Sequence, residues 1–184
     1  MKKIMLFLMM IFVGGCLPKY TAPLRMKDYE KEGVLMLPVK NIVLVSEIEL
    51  PGRLPHVEYQ MPMTPEKALR NWAFIRLRAD HSKPYTAEFI VKTASMTRES
   101  EIKESWFVYD NYKYTLTYDV MLRIVNEAGK EISHVQANGF VMQTLPERAS
   151  VNERDALFMD MLNHMIDDLN AELSEKVKQK NLAF

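Results

Sequence analysis

The sequence predicts an α+β fold: a two-layer sandwich with two helices on one face of a four-stranded, largely antiparallel sheet, in the order β-α-β-β-β-α. Three observations predict it. Tyr112, Tyr114, Leu116, Tyr118, Val120, Leu122 and Ile124 alternate with Lys113, Thr115, Thr117, Asp119 and Arg123, the mark of a strand buried on one side. After the short turn Asn126-Glu127-Ala128-Gly129, a second run with Val135, Ala137, Gly139 and Val141 in phase predicts the return strand of a hairpin. Two further segments carry apolar residues at helical spacing, and each needs a surface to cover.

Taken in order, the first strand is expected from Asn41. Ile42, Leu44, Ser46, Ile48 and Leu50 alternate with Val43, Val45, Glu47 and Glu49, and Pro51-Gly52 ends the run. An irregular stretch, Arg53 to Met63, contains Pro55 and Pro62. Thr64-Pro65-Glu66 then opens a helix, with Thr64 as cap and Pro65 at the first helical position, where a missing N–H does no harm. Ala68, Leu69, Trp72, Ala73 and Leu77 form its apolar stripe, and its end is expected near Asp80. A second strand is read from Ala87, Phe89, Val91 and Thr93 in one phase, followed by a polar stretch from Thr97 to Ser105. The hairpin comes next, its return strand running from about Glu131 to Leu145, and Pro146 closes it. Ser150-Val151-Asn152-Glu153 has capping-box spacing. The last helix follows to about Val177, with Leu157, Met161, Met165, Leu169, Leu173 and Val177 at four-residue steps and Leu162 and Ile166 widening the stripe.

The N-terminus carries the strongest functional signal. Met1-Lys2-Lys3 precedes an apolar run from Ile4 to Val13, too short for a bilayer span of about 20 residues, and Gly14-Gly15-Cys16 follows. A charged start, a short apolar run and small residues before the cut make a secretory signal. Val13-Gly14-Gly15-Cys16 resembles the bacterial lipobox. That resemblance implies cleavage before Cys16, diacylglycerol on its sulfur and acyl chains of the palmitate kind as a membrane anchor. Two or more chains hold a protein stably, each buried methylene contributing about 0.8 kcal/mol. Leu17 stands where enterobacterial sorting reads Asp as an inner-membrane retention signal, so the resemblance implies the outer membrane, facing the periplasm.

The predicted organisation is a signal peptide over 1–15, the lipidated cysteine and a tether over 16–38, a single α+β domain over 39–178 and a tail over 179–184. The whole chain balances 24 basic against 24 acidic residues, and the loss of Lys2 and Lys3 leaves a slight acidic excess. That argues against nucleic acid as a partner. Cys16 is the single cysteine, so the domain is expected to stand on its core without disulfides.

No catalytic residue is assigned, and no cofactor or metal is expected. His56, His81, His134 and His164 lack ligand spacing, and the six glycines are too scattered for a phosphate cradle. Asp167, Asp168 and Glu172 read as a solvated helix face. Trp106, Phe107 and Tyr109 lie ahead of the clean alternation and are the candidate contacts for a lipid or a protein partner, whereas Tyr112, Tyr114 and Tyr118 read as core. Met159, Met161 and Met165 fit either core filling or an adaptable binding surface.

The strings VEYQMPMTPEKALRNWAFIRLRA (57–79) and PERASVNERDALFMDMLNHM (146–165) resemble a family of uncharacterised alphaproteobacterial lipoproteins. More distantly, the layout resembles LptE-like lipoproteins and the auxiliary lipoproteins of ABC-type transport, in architecture alone. These resemblances imply a non-enzymatic accessory in envelope assembly or in lipid or lipopolysaccharide transport. Its partners would be the membrane, through the N-terminal acyl chains, and an envelope complex or lipid ligand. The competing reading is a structural or regulatory lipoprotein acting on cell-wall synthesis machinery.

Overall fold

The computed structural model describes residues 26–101 and 110–180. In chain order the elements are β1 (Leu35–Leu37), β2 (Asn41–Ser46), α1 (Pro65–Arg76), β3 (Leu77–Ala79), β4 (Thr86–Glu101), β5 (Asn111–Val125), β6 (Glu131–Pro146) and α2 (Val151–Gln179). The fold is α+β, with a four-stranded mixed sheet in the order β2-β4-β5-β6 and a small second sheet of β1 and β3. β4, β5 and β6 run antiparallel, and β2 lies parallel to β4, joined to it through α1.

Alternation places one face of the sheet inward. Leu116 sits opposite Met96 and Val141, and Leu122 opposite Phe89 and Val135. These residues join the stripes of both helices in one core. On α1 that stripe is Ala68, Leu69, Trp72 and Ala73, all buried, and Leu77 continues it. On α2 every residue of the expected stripe is buried, and Phe158 and Met159 with it. Tyr114 and Tyr118 face this core, the Tyr114 ring standing edge-on to Phe158 at 5.2 Å. The opposite face is mixed: Arg123 pairs with Glu88 at 2.6 Å and Gln136 donates to Asp119 at 2.8 Å, while Phe140 and Met142 stand exposed on the same face.

Both helix starts follow from local chemistry. Lys67 N–H donates to Thr64 Oγ1 at 3.3 Å, with Pro65 in the first turn. At α2 the box closes in both directions: Glu153 N–H donates to Ser150 Oγ at 3.3 Å, and Ser150 N–H donates to Glu153 Oε2 at 2.8 Å.

The structure departs from the sequence reading in four places. Within the span 16–38 expected as a tether, Tyr29, Leu35 and Leu37 are buried in the domain. Leu35–Leu37 forms a parallel pair with Leu77–Ala79, a contact between segments about forty residues apart that no local pattern announces. For the same reason α1 ends at Arg76, and the chain turns extended at Leu77 instead of continuing to Asp80. The first strand stops at Ser46, short of Leu50.

The fourth departure lies in β4. Its register shifts between Val91 and Thr93, so Ala87, Phe89 and Val91 point inward before the break and Ala94 and Met96 after it. Thr93 therefore lies off the inward face that a single phase predicts for it, and the strand continues through the first polar residues, Thr97 to Glu101. A bulge of this kind adds one residue to a strand and reverses its inward positions beyond that point. Past the bulge, the flank of β4 is covered by the irregular segment before α1. Val57 N–H donates to Met96 O and Arg98 N–H to Pro55 O, both at 2.8 Å. Met96 N–H donates to Glu58 Oε1 at 2.8 Å, which is how a carboxylate only 2% exposed finds a partner.

Candidate functional site

α1 and α2 meet along the apolar layer, and the N-terminal segment from Met26 to Gly33 crosses their junction. Three independent stretches of sequence converge there. Ala68, Trp72 and Ile75 recur at three- and four-residue steps on α1 and share one side of that helix. Met159 and Ile166, seven residues apart, share one side of α2. Pro62 and Met63 lead into α1, and Met26 and Tyr29 come from the crossing segment. Together they line a cavity of about 280 Å³, with Lys27 and Asn71 as its polar members. Its lining is dominated by thioethers, aliphatic groups and the Trp72 indole.

A polar seam holds the crossing segment in place. Asn163, Asp167, Asn170 and Ser174 are spaced four, three and four residues apart, so they line one side of α2. Lys27 N–H donates to Asn163 Oδ1 at 2.9 Å, and Lys27 Nζ donates to Asp167 Oδ1 at 2.7 Å. Tyr29 OH also donates to Asp167 Oδ1, at 3.2 Å. Arg76 is the buried cation of this seam, 4% exposed. It donates through Nε to Asn170 Oδ1 at 2.9 Å, through Nη2 to Ser174 Oγ at 3.4 Å, and through Nη1 to the Gly33 carbonyl. Trp72 Nε1 shares Asn170 Oδ1 at 3.1 Å, and Asn170 Nδ2 donates to Glu32.

The electrostatics follow from these contacts. The hydrogen bond to Asp167 raises the Lys27 ammonium above its ordinary value, against a small opposing cost of burial. Burial raises the Tyr29 phenol strongly, and the Asp167 charge adds to it. The ammonium therefore stays charged and the phenol neutral across the ordinary pH range, so the seam does not open by titration of either group there.

On the outer side of the crossing segment lies a wider, polar groove of about 610 Å³. Met26, Lys27, Asp28, Lys31, Asp160, Asn163, His164 and Asp167 line it. Met26 and Lys27 border both spaces, so a short piece of main chain separates an apolar hollow from a charged one.

The residues singled out from sequence fall differently. Cys16, Trp106, Phe107 and Tyr109 lie outside the described residues. Asp168 is exposed, and Glu172 forms an ion pair with Lys176, as a solvated face requires. Asp167 departs from that reading, because it anchors the crossing segment. Met159 lines the cavity, whereas Met161 and Met165 fill the core. The cavity itself was not visible in the sequence. The sequence groups Met159 with Met161 and Met165 as fitting either core filling or an adaptable surface, and nothing in their spacing singles out Met159. Among the described residues no group of three or more His, Asp or Glu side chains could hold a metal ion, and no helix is long and apolar enough to cross a membrane.

No protein-family model matches the chain, and no curated protein matches it by sequence. Solved structures similar to it include a minor lipoprotein from Acinetobacter baumannii, at 14% identity over 77% of this chain and 92% of that one, with a TM-score of 0.41. The rare lipoprotein B from Shewanella oneidensis is similar at 16% identity over 76% and 98%, with a TM-score of 0.40. A lipoprotein B from Nitrosomonas europaea is similar at 16% identity over 73% and 81%, with a TM-score of 0.38. These three are lipoproteins by name, and none supports the alphaproteobacterial part of the expected resemblance. At these identities and scores, function has to be read from the chain's own residues.

Proposed function

We propose that this chain is a membrane-anchored envelope lipoprotein and a non-enzymatic accessory in envelope assembly or in the transport of a lipid or lipopolysaccharide. The observation that carries the reading is Val13-Gly14-Gly15-Cys16 behind a charged start and a short apolar run, with Cys16 the single cysteine of the chain. The acyl chains on Cys16 form the anchor. Leu17 directs it to the outer membrane, facing the periplasm. Trp106, Phe107 and Tyr109 form a contact surface for a partner or lipid.

The fold supports the reading in one further respect. Met26 is packed ten residues after Cys16, and ten extended residues reach at most about 33–36 Å. The domain is thus held close to the surface that anchors it.

The test is metabolic labelling with a fatty-acid analogue, followed by membrane fractionation and cross-linking in native membranes. Wild type takes up label, fractionates with the outer membrane and cross-links to a transport or assembly component. Cys16→Ala takes up none and leaves the membrane fraction. A wild-type protein without label would remove the anchor, and cross-links only to a peptidoglycan synthase would replace the transport reading.

A further inference from the structure

We infer that the outer edge of β6 is a dimer seam, at which the strand pairs antiparallel, about Val141, with β6 of a second copy of this chain. The four-stranded sheet ends at β6, and among the described residues no strand lies beyond it.

Two lysines show which main-chain groups face outward. Lys176 Nζ donates to the Gln136 carbonyl at 2.7 Å, and Lys180 Nζ donates to the His134 carbonyl at 2.6 Å. Both carbonyls therefore point away from β5. Main-chain groups alternate sides along a strand, so those of Asn138, Phe140, Met142 and Thr144 point outward too. Among the described residues nothing bonds to them. The lysines close the edge at one end, and Pro146, which has no N–H, closes it at the other. Residues 138–144 stay open between them.

This open stretch lacks the usual protection of an edge. Exposed edges are ordinarily blunted by charges, lysine above all. Residues 132–145 contain no Asp, Glu, Lys or Arg. By contrast β5, inside the sheet, carries Lys113, Asp119 and Arg123. On the outer face of the same stretch Phe140 is 64% exposed and Met142 54%. Their cross-strand neighbours there, Thr117 and Thr115, are uncharged as well.

A second copy is selected by how the strand meets itself. Pairing about Val141 sets Phe140 against Met142 of the second copy, and Asn138 against its Thr144. Each facing pair exchanges two main-chain bonds. Both copies hold Phe140 and Met142 on the outer face, so the four side chains form one cluster across the seam and cover one another. The ends match in charge. Gln136 of one copy falls opposite Pro146 of the other, which brings the lysine end of each strand to the end where Glu147 N–H donates to the Asp110 carbonyl at 3.0 Å. Asp110 and Glu147 there outnumber Arg148. Two-fold symmetry makes this match twice. The lysines themselves stand beyond the paired stretch. Residues 138–144 span about 23 Å, so the seam belongs to the small, reversible class of contact.

The experiment uses the mature protein purified from membranes in detergent. Val141→Cys sets two thiols across the symmetry axis at a pair without hydrogen bonds, where Cα atoms lie about 4.5 Å apart, within disulfide reach. Mild oxidation is expected to convert it to a covalent dimer. Asn138→Cys and Thr144→Cys should each stay monomeric alone and link when mixed. Wild type, whose single cysteine is Cys16, sets the background. In sedimentation, wild type should form more dimer as loading rises. Phe140→Lys blunts the edge from the exposed face and should weaken the dimer about tenfold or more. Phe74→Lys, exposed on α1, should leave it unchanged.

Wild type that is monomeric at every loading, or linkage as fast in Thr144→Cys alone as in Val141→Cys, would overturn the inference. If Val141→Cys does not melt like wild type, the mixed pair and the sedimentation decide without it. A monomer that loses a cross-linked partner in native membranes when Phe140→Lys is introduced would give the edge to a foreign strand, and would overturn the second copy as its occupant.

Discussion

The Tyr118 ring fills the space that a side chain at Gly139 would need. The two residues are register partners on β5 and β6, and a Cβ at position 139 would meet Tyr118 Cε1 and Oη at 3.0 Å. Tyr118 is buried against the core, so the ring must give by a few tenths of an ångström in close packing. Gly139→Ala is therefore expected to destabilise the domain by about 1–3 kcal/mol through overpacking. Urea denaturation compares the variant with wild type, and an unchanged midpoint would mean that the ring relaxes freely.

Trp72 is the anchor of α1. It is 1% exposed, lies 5.9 Å from the Phe89 ring and donates to Asn170. Trp72→Ala is expected to cost about 3–5 kcal/mol, a large share of the roughly 5–15 kcal/mol that holds a domain together. Trp106→Ala is expected to cost well under half as much and to weaken partner cross-linking instead. Paired melts decide between them, and equal losses would place Trp106 in the core.

Arg76 ties the crossing segment to both helices. Its removal strips one bond each from the Gly33 carbonyl, Asn170 and Ser174, at about 1 kcal/mol per lost bond. Arg76→Ala should also expose the segment before Leu35 to protease well before the rest of the domain. Arg76→Lys should not rescue it, because one ammonium cannot reproduce a fork that reaches three acceptors. Limited proteolysis with N-terminal sequencing reads the outcome, and wild-type resistance in Arg76→Ala would show that β1 alone holds the segment.

The capping box makes α2 sensitive to acid. Hydrogen bonds from the Ser150 backbone and hydroxyl hold the Glu153 carboxyl below its ordinary value. A depressed carboxylate stabilises the fold above its unfolded pKa, and that contribution is lost as pH falls through the folded value. Wild type should therefore exceed Glu153→Gln in stability at pH 7, and the gap should close on acidification below about pH 4. A gap that persists unchanged to pH 2 would remove the box as its cause.

Tyr118 should act at the alkaline end. Burial, with the charges of Glu172 and Asp168 adding to it, pushes its phenol up to about 12. The folded value lies above the unfolded one, so the contribution is complete below pH 10 and disappears as pH rises toward 12. Wild type should lose stability across that window more steeply than Tyr118→Phe, followed by phenolate absorbance together with far-ultraviolet circular dichroism. Matching slopes would mean that the ring is solvated.

Elements with a sustained local period were legible in the sequence. Alternation from Tyr112 to Ile124 specified β5 and its inward face, four-residue steps from Leu157 to Val177 specified α2, and Thr64 and Ser150 marked where the helices start. Each signal is local, because a strand alternates and a helix repeats whatever surrounds it. The motif at Cys16 on which the proposed anchor rests is likewise a matter of adjacent residues. The bulge at Val91 and Thr93 broke the period within one strand, and alternation read through it pointed Thr93 inward.

Contacts between distant segments were decided by the tertiary structure alone. The pairing of Leu35–Leu37 with Leu77–Ala79, the meeting of Tyr29 with Asp167, and the joining of Gly33 to Asn170 through Arg76 each close a long loop. Nothing in the spacing of those residues along the chain encodes the encounter, because it depends on how two helices settle on the sheet. The cavity is a product of the same settling. Its walls come from three segments, and its volume is what side-chain packing leaves between them.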